Sequence, residues 1–158
     1  MIELLITWLL QLLLPPSTTE QVAQSATSTA TVVRVIDGDT IDVRVGGVEE
    51  RVRYIGIDTP EPYAGTAPEC YAAEATAANR ALTKSGVVTL VRDTENRDTY
   101  NRLLRYVYVD DTFVNEQLVE RGFARPLPIP PNMRFASNIS LAAQTAQRDA
   151  RGLWGACN

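Results

Sequence analysis

The chain has 158 residues, the length of one compact domain, and its 45% hydrophobic and 22% charged residues are ordinary for a globular protein. It contains no histidine, which excludes Ser-His-Asp and Cys-His catalysis and histidine-based zinc sites. Acidic residues outnumber basic residues 19 to 15, so the chain lacks the strongly basic character of a tight non-specific nucleic-acid binder. Acid–base chemistry must therefore come from Asp, Glu, Tyr, Cys, Lys or a metal-bound water.

The first 30 residues differ in composition from the rest of the chain. Residues 4–14 are almost wholly apolar, and two prolines and a Ser/Thr/Gln/Ala stretch follow them. This run is shorter than the roughly 20 residues of a transmembrane helix and suits a secretory signal, with small residues near 23–26 as a cleavage site. Glu3 stands where a signal peptide usually has Lys or Arg, so a retained anchor is the alternative. We predict that residues 1–30 are a signal peptide or membrane anchor plus linker, and that residues 31–158 form a secreted or cell-surface domain.

From residue 31 the pattern becomes that of β-strands. The β-branched or alternating segments are 31–36, 40–45 and 48–57. Asp37-Gly38 and Gly46-Gly47 lie between them and predict two tight hairpin turns. We therefore expect a three-stranded meander that can curl at Gly56.

The second half of the chain alternates between helical and strand patterns. The predicted elements are a helix over 69–85 ended by Gly86, a strand over 87–92, a strand over 102–109, a short helix from an Asn115 N-cap to Gly122, a loop over 126–136 and a final helix over 138–151. Five short strands with three helices predict an α+β fold, an OB-like five-stranded β-barrel with three α-helices.

Three polar clusters interrupt these elements, and each alone has a simple structural explanation. They are Asp37-Gly38-Asp39-Thr40, the segment RYIGIDTPE from Arg53 to Glu61, and Asp98-Thr99-Tyr100-Asn101-Arg102. Taken singly, they are explained by a turn, a capping Asx-turn at Asp58, a solvated Glu61 and a surface ion pair at Arg102.

Together, the clusters contain the parts of a metal-assisted phosphodiesterase. Calcium takes six or more oxygen ligands, and Asp39, Asp58 and the Thr59 carbonyl supply oxygens of the required type. Such a cation neutralises a phosphodiester oxygen and lowers the pKa of a bound water, whose proton Glu61 can accept. Two arginines of the clusters can stabilise the charge that grows on the phosphate.

The same strings carry a family resemblance. VIDGDT, RYIGIDTPE, DTYNR and VNEQLVERGFA resemble, in order and spacing, the staphylococcal nuclease (thermonuclease) family over residues 31–156. The string ECY and the final GLWGAC resemble its secreted prokaryotic members. The resemblance implies a calcium-dependent enzyme that cleaves DNA and RNA at the P–O5′ bond and leaves 3′-phosphates. These nucleic acids are the expected partners; we expect no stable protein partner and a monomer.

The resemblance also implies a role for each polar residue. The roles are calcium ligands (Asp39, Asp58 and the Thr59 carbonyl), an acid near the ion (Asp37), phosphate clamps (Arg53 and Arg102), a general base that orders the attacking water (Glu61) and a contact to the terminal phosphate of a bound nucleotide (Tyr100). Three departures accompany these matches: Thr99 replaces a lysine, Asn101 replaces a glycine, and Leu127-Pro128-Ile129-Pro130 replaces two base-stacking tyrosines. Stacking contributes about 1–3 kcal/mol per base, so we expect weaker substrate binding or a different base preference.

The two cysteines and the function each leave alternatives. From the residues alone, Cys70 and Cys157 are either one disulfide worth about 2–4 kcal/mol or two buried thiols. The resemblance to secreted members favours the disulfide. A non-catalytic OB-fold nucleic-acid-binding module is the alternative function, and a different metal-dependent hydrolase on a small barrel is a third.

Overall fold

The computed structural model describes residues 26–63 and 65–157. The predicted signal or anchor segment covers residues 1–30; its residues 1–25 lie outside the described residues, and its last four residues belong to β1. In the described part, the strands are β1 (Thr27–Val35), β2 (Thr40–Val45), β3 (Val48–Tyr54), β4 (Gly56–Asp58), β5 (Val87–Val91), β6 (Leu103–Val109), β7 (Thr112–Phe113) and β8 (Arg125–Leu127). The helices are α1 (Ala72–Leu82), α2 (Val114–Glu120), α3 (Ala136–Arg148) and the single turn α4 (Leu153–Ala156).

Five of the strands form a closed barrel. Their order is β3-β2-β1-β5-β6, and a parallel pairing between β3 and β6 closes the sheet on itself. The other barrel pairings are antiparallel. This architecture, with three helices longer than one turn, confirms the predicted OB-like α+β fold. The short strands β4 and β8 pair with each other outside the barrel.

The barrel interior follows from the alternation of the strand sequences. Ile41, Val43 and Val45 of β2 and Val52 and Tyr54 of β3 are at most 2% exposed. Burying these side chains on one face is what the period of two predicts, because successive residues of a strand point to opposite faces. The opposite face of β3 is therefore left for a polar side chain, and Arg53 occupies it.

Helices α2 and α3 pack against each other and cover the barrel. Leu118 and Val119 of α2 and Ile139 and Ala143 of α3 are buried in the same core as the strands. The disulfide between Cys70 and Cys157 joins the segment before α1 to the end of the chain. None of the described helices is long and apolar enough to cross a membrane.

The structure corrects four predicted element boundaries or caps. Strand β1 begins at Thr27, four residues before the predicted start, because residues 27–31 pair with β5 although their Ser/Thr/Ala sequence resembles a linker. The third strand ends at Tyr54, since Gly56 adopts a positive φ of 79° and redirects the chain into β4. Helix α1 spans 72–82 rather than 69–85. Helix α2 has Phe113, not Asn115, at its N-cap.

Candidate active site

The loop between β1 and β2 places a buried carboxylate beside the end of β4. Asp39 is 1% exposed, and its Oδ2 accepts hydrogen bonds from the backbone N–H of Thr59 at 2.8 Å and from its hydroxyl at 2.9 Å. Its Oδ1 accepts a bond of 3.1 Å from the Thr40 hydroxyl. The backbone N–H of Asp39 donates to Oδ1 of Asp37 at 3.0 Å. These bonds fix the direction of the Asp39 carboxylate.

Gly38 permits the close approach of this loop to Thr59. A Cβ atom on residue 38 would lie 2.6 Å from the Thr59 hydroxyl oxygen, a distance that real contacts do not reach. β1 and β2 form the predicted hairpin, but Gly38 does not adopt a left-handed conformation, and the connection is a loop over 36–39 rather than a two-residue turn. The glycine is needed here for space, and it brings Asp39 within hydrogen-bond distance of Thr59.

Arg53, which β3 points away from the barrel interior, lies between the two predicted metal-binding carboxylates. Its Nε is 3.1 Å from Oδ1 of Asp39, and its Nη2 donates to Oδ1 of Asp58 at 3.0 Å. Its Nη1 donates to the carbonyls of Tyr54 at 3.0 Å and Ile57 at 2.8 Å. The guanidinium has five N–H groups, and three of them already donate to these partners while the Nε–H faces Asp39. One N–H therefore remains for a phosphate oxygen in this arrangement.

Negative charge exceeds positive charge around Arg53. Burial raises the pKa of Asp39 to about 6, although the adjacent Arg53 lowers it, and the charge of Asp37 raises it further. Desolvation also raises the pKa of Glu61, and the charges of Asp37 and Asp58 act in the same direction. The four carboxylates thus repel one another, and a cation bound among them would relieve this repulsion.

The third polar cluster is organised by Asp98. Its carboxylate accepts bonds from the backbone N–H of Tyr100 at 3.0 Å and of Arg102 at 2.9 Å, and from Nε of Arg102 at 2.7 Å. Partial burial raises the pKa of Asp98, but the hydrogen bonds from Arg102 outweigh it and hold the pKa below its ordinary value. Asn101 has a φ of 64°, a left-handed conformation that asparagine tolerates. The replacement of the family's glycine by Asn101 is therefore compatible with this loop.

Arg53, Tyr100 and Arg102 line one cavity of about 270 Å³. The guanidinium of Arg102 lies 5.4 Å from the centre of the Tyr100 ring, and Tyr100 is 80% exposed. Leu127 and Ile129 form part of the wall, where the family has stacking tyrosines. The cavity is thus lined by two arginines, two acids and several aliphatic side chains.

Asn79 is a positioning residue that the sequence analysis did not identify. It is fully buried in α1, accepts a hydrogen bond of 2.8 Å from the Tyr54 hydroxyl and donates one of 2.9 Å to the Asp37 carbonyl. It therefore connects the helix to the loop that carries Asp37 and Asp39. The signal in the sequence is a single amide within an otherwise Ala-rich helix, and this pattern does not indicate burial.

The structure brings the predicted residues into two adjacent groups. Asp39, Arg53, Asp58 and Thr59 are in direct contact, whereas Glu61 acts on them only through its charge. The second group consists of Tyr100 and Arg102, which both donate hydrogen bonds to Asp98. It lines the same cavity as Arg53 of the first group. The predicted roles of these residues remain predictions.

The residues fit a hydrated calcium ion better than a fully enclosed one. Within residues 26–63 and 65–157, no three Asp, Glu, His or Cys side chains form a ready metal cluster. Two carboxylates and a backbone carbonyl supply only part of the six or more oxygens, so water must complete the shell. The Asp39 carboxylate is 1% exposed and has Arg53 as its cationic neighbour at 3.1 Å. An oxygen-seeking cation suits this donor set.

Fold and site define a small OB-like barrel with a cleft of carboxylates and arginines. The profile of the family described as "Staphylococcal nuclease homologue" matches residues 51–156. The thermonuclease of Staphylococcus intermedius is 38% identical over 124 residues, covering 78% of this chain and 74% of that protein. The chain belongs to the staphylococcal nuclease family.

Other relatives extend this similarity. The endonuclease YncB of Bacillus subtilis is 40% identical over 129 residues, covering 78% of this chain and 60% of YncB. The match thus spans less than two thirds of the YncB length. The thermonuclease of Staphylococcus hyicus is 36% identical over 124 residues, covering 78% of this chain and 73% of that protein.

Proposed function

We propose that this protein is a calcium-dependent nuclease that hydrolyses DNA and RNA at the P–O5′ bond and leaves 3′-phosphate products. The observation that carries the proposal is the shared cavity of Arg53 and Arg102, with the buried Asp39 in contact with Arg53. Relatives named thermonuclease and endonuclease support the same reaction class.

The two arginines bind the scissile phosphate from the paired strands β3 and β6: Arg53 lies in β3, and Arg102 immediately precedes β6. The remaining N–H of Arg53 donates to one phosphate oxygen, and Arg102, held by Asp98, donates to another. Because both guanidinium groups are fixed before the substrate arrives, they stabilise the extra charge of the five-coordinate phosphorus without reorganisation. Removing one such donor typically slows a reaction by about 10²–10³-fold.

Glu61 accepts the proton of the attacking water. Its pKa is raised by desolvation and by neighbouring acids, which makes it a stronger base than an ordinary glutamate. Calcium, when held by Asp39, Asp58 and the Thr59 carbonyl, supplies charge neutralisation at the phosphate and a more acidic water. Asp37 fixes the Asp39 backbone behind this site.

The aliphatic side chains of the cavity wall affect how tightly and how selectively a neighbouring base is bound. Leu127 is 38% exposed and Ile129 is 56% exposed, so both offer aliphatic surface to a base next to the scissile phosphate. Aliphatic side chains contact every base through dispersion but lack the ring stacking of a tyrosine. We propose that binding here is weak and tolerant of base identity.

The Glu61→Gln variant of the full chain tests this mechanism. Cleavage of heat-denatured DNA and of RNA is followed by the rise in absorbance at 260 nm, with calcium and with EDTA. We expect activity only with calcium and a loss of about 10²–10⁴-fold in the variant, at an unchanged melting temperature. Glu74→Gln makes the same chemical change on an exposed part of α1 and should keep full activity. Near-normal rates for Glu61→Gln would refute the assigned base.

A non-catalytic nucleic-acid-binding module is the alternative. A module of that kind binds single strands in EDTA and releases no 3′-phosphate ends with any divalent ion. End-group analysis of the products separates the two functions, because it detects a single new 3′-phosphate end among many uncleaved phosphodiester bonds.

We also propose that the protein is a monomer that acts outside the cytoplasm. The Cys70–Cys157 disulfide supports this location, since such bonds persist in oxidising compartments. Intact mass and sedimentation of protein recovered from the medium and from membranes test both points and show whether the chain has been cut near the predicted site at 23–26.

A further inference from the structure

A cationic surface lies beside the candidate site, over α1 and β1. Arg34, Arg80 and Lys84 line one concavity of about 370 Å³. Arg34 and Arg80 also line a second one of about 570 Å³, together with Tyr63. Among the described residues, no acidic side chain lines either concavity. We call the residues Arg34, Tyr63, Arg80 and Lys84 the α1 surface.

The cations of this surface are only partly neutralised by acidic side chains. Among the described residues, neither Arg80 nor Lys84 takes part in an ion pair, whereas nine other arginines do. Arg34 pairs with Asp42, which it shares with Arg51, so these three side chains together retain one net positive charge. In a protein with an acidic balance, two unpaired cations beside a partly neutralised third make a local excess of positive charge. Phosphate is the ligand that such a group favours.

The α1 surface is continuous with the candidate site. Ile36 and Pro62 line the second concavity, and they directly precede Asp37 and directly follow Glu61 in the chain. Tyr63 comes next and is 87% exposed, the most exposed of the large hydrophobic side chains in the described segments. An exposed ring beside phosphate-binding cations is the combination that single-stranded nucleic acid recognises, because bases stack on the ring while the cations follow the backbone.

We propose that the α1 surface binds the single-stranded nucleic acid that continues beyond the scissile phosphate, on the side away from the Tyr100 cavity. This inference rests on the proposed nuclease function. Arg80 and Lys84 bind successive phosphates, Arg34 adds a third contact, and Tyr63 stacks on a base. Cations at the end of α1 also favour the helix dipole, but that effect explains neither Arg34 on β1 nor the exposed Tyr63. The surface makes the enzyme prefer long single strands over short fragments.

The double variant Arg80→Gln/Lys84→Gln of the full chain tests this binding surface. Its matched control is Arg121→Gln/Arg148→Gln, which removes the same charge from arginines that line none of the concavities described above. Binding of a labelled single strand of about 20 nucleotides is measured by anisotropy in EDTA from 0.05 to about 0.5 M salt. Hydrolysis of a trinucleotide and of the long strand is measured in parallel with calcium.

Loss of two phosphate contacts should reduce the salt slope of log K by about 1.4 and weaken binding about 25-fold near 0.1 M salt. The KM for the long strand should rise, and trinucleotide hydrolysis should match the control. Tyr63→Leu, a change in an exposed loop, should weaken long-strand binding at least about fivefold without changing the salt slope.

Two results would refute the proposed role of the α1 surface. The first is that the double variant binds the long strand as tightly as the control does. The second is that it loses equal hydrolytic activity on the trinucleotide and on the long strand. A wild-type chain that cuts neither substrate would refute the proposed function instead. The anisotropy measurement in EDTA still decides the α1 surface in that case.

Discussion

The Asn79 side chain connects the Tyr54 hydroxyl to the Asp37 carbonyl, and its replacement gives the most demanding test of how this fold supports its site. Replacing Asn79 by alanine removes the partner of the buried Tyr54 hydroxyl and the partner of the Asp37 carbonyl. Tyr54 is 1% exposed and Asn79 is 0% exposed, so water has poor access to the Tyr54 hydroxyl, whereas the Asp37 carbonyl is only partly buried. The variant should therefore lose stability and also loosen the loop that carries Asp37 and Asp39.

The expected loss follows from the two groups left without a partner. The buried Tyr54 hydroxyl left unsatisfied costs about 1–3 kcal/mol, and loss of the partly buried bond to the Asp37 carbonyl costs about 0.5–1.5 kcal/mol. Alanine has a higher helix propensity than asparagine, and this returns about 0.5 kcal/mol in α1. The net destabilisation is about 1–4 kcal/mol, or a fall in melting temperature of about 2–16 °C for a domain of this size.

Urea unfolding followed by circular dichroism measures this loss, with Tyr54→Phe as the comparison. Tyr54→Phe breaks only one of the two bonds and leaves the Asp37 carbonyl paired, so it should cost less stability and less activity than Asn79→Ala. In the double variant the broken bond is shared, and the combined loss should be smaller than the sum of the single losses. A loss below about 0.5 kcal/mol for Asn79→Ala, or strictly additive effects, would refute the reasoning.

Three further predictions concern other parts of the fold. Replacing Cys70 and Cys157 by alanine should lower the free energy of unfolding by about 4–5 kcal/mol, because the bond closes a loop with a sequence separation of 87, and reductant should then have no effect on melting. Asp42→Asn should cost about 1 kcal/mol at neutral pH. Hydrogen bonds from arginine hold the pKa of Asp42 below its ordinary value of 3.8. The stability that ionised Asp42 contributes is therefore present above pH 3.8 and is lost as the pH falls through the lowered pKa. A difference between Asp42→Asn and the wild type that persists in acid would contradict this cause. Gly38→Ala should cost about 1–3 kcal/mol and reduce cleavage, because its Cβ meets Thr59, and a variant with wild-type melting and rate would contradict the packing.

The parts of the fold that depend on local pattern are predictable from the sequence. Residues 40–45 alternate with period two, and β2 occupies this segment. Gly46 and Gly47 both have positive φ, as their predicted hairpin turn requires. The pairing of β4 with β8 is not predictable in this way, because strands of three residues are stabilised by tertiary packing rather than by their own sequence.

Asn115 shows how a local signal and a tertiary role compete. Its sequence position favours an N-cap, but it is fully buried, accepts a bond from the Val107 N–H and donates one to the Ile55 carbonyl, both at 2.9 Å. These partners are distant in sequence, so no spacing rule identifies them. The amide satisfies two backbone groups that the barrel would otherwise leave unpaired.

The polar residues of the site were identifiable as a set, but their mutual contacts were not. The spacing of Asp39, Arg53 and Asp58 indicates a shared site, whereas only the structure shows that Arg53 contacts both carboxylates. Asp98 illustrates the same limit. It belongs to a predicted cluster, and its function of holding Arg102 depends on how the loop folds back on itself.

The parallel seam between β3 and β6 has a consequence for the order of folding events. Val52 pairs with Leu103 and Arg53 pairs with Leu104, so strands about 50 residues apart in the chain must meet before the barrel closes. Arg53 lies on one side of this seam and Arg102 immediately precedes the other strand. Pairings between distant strands form late, whereas the hairpin of β2 and β3 and the helix α1 need only local contacts. The two guanidinium groups are therefore brought together only when this parallel pairing forms. Recovery of phosphate binding during refolding would then report closure of the barrel.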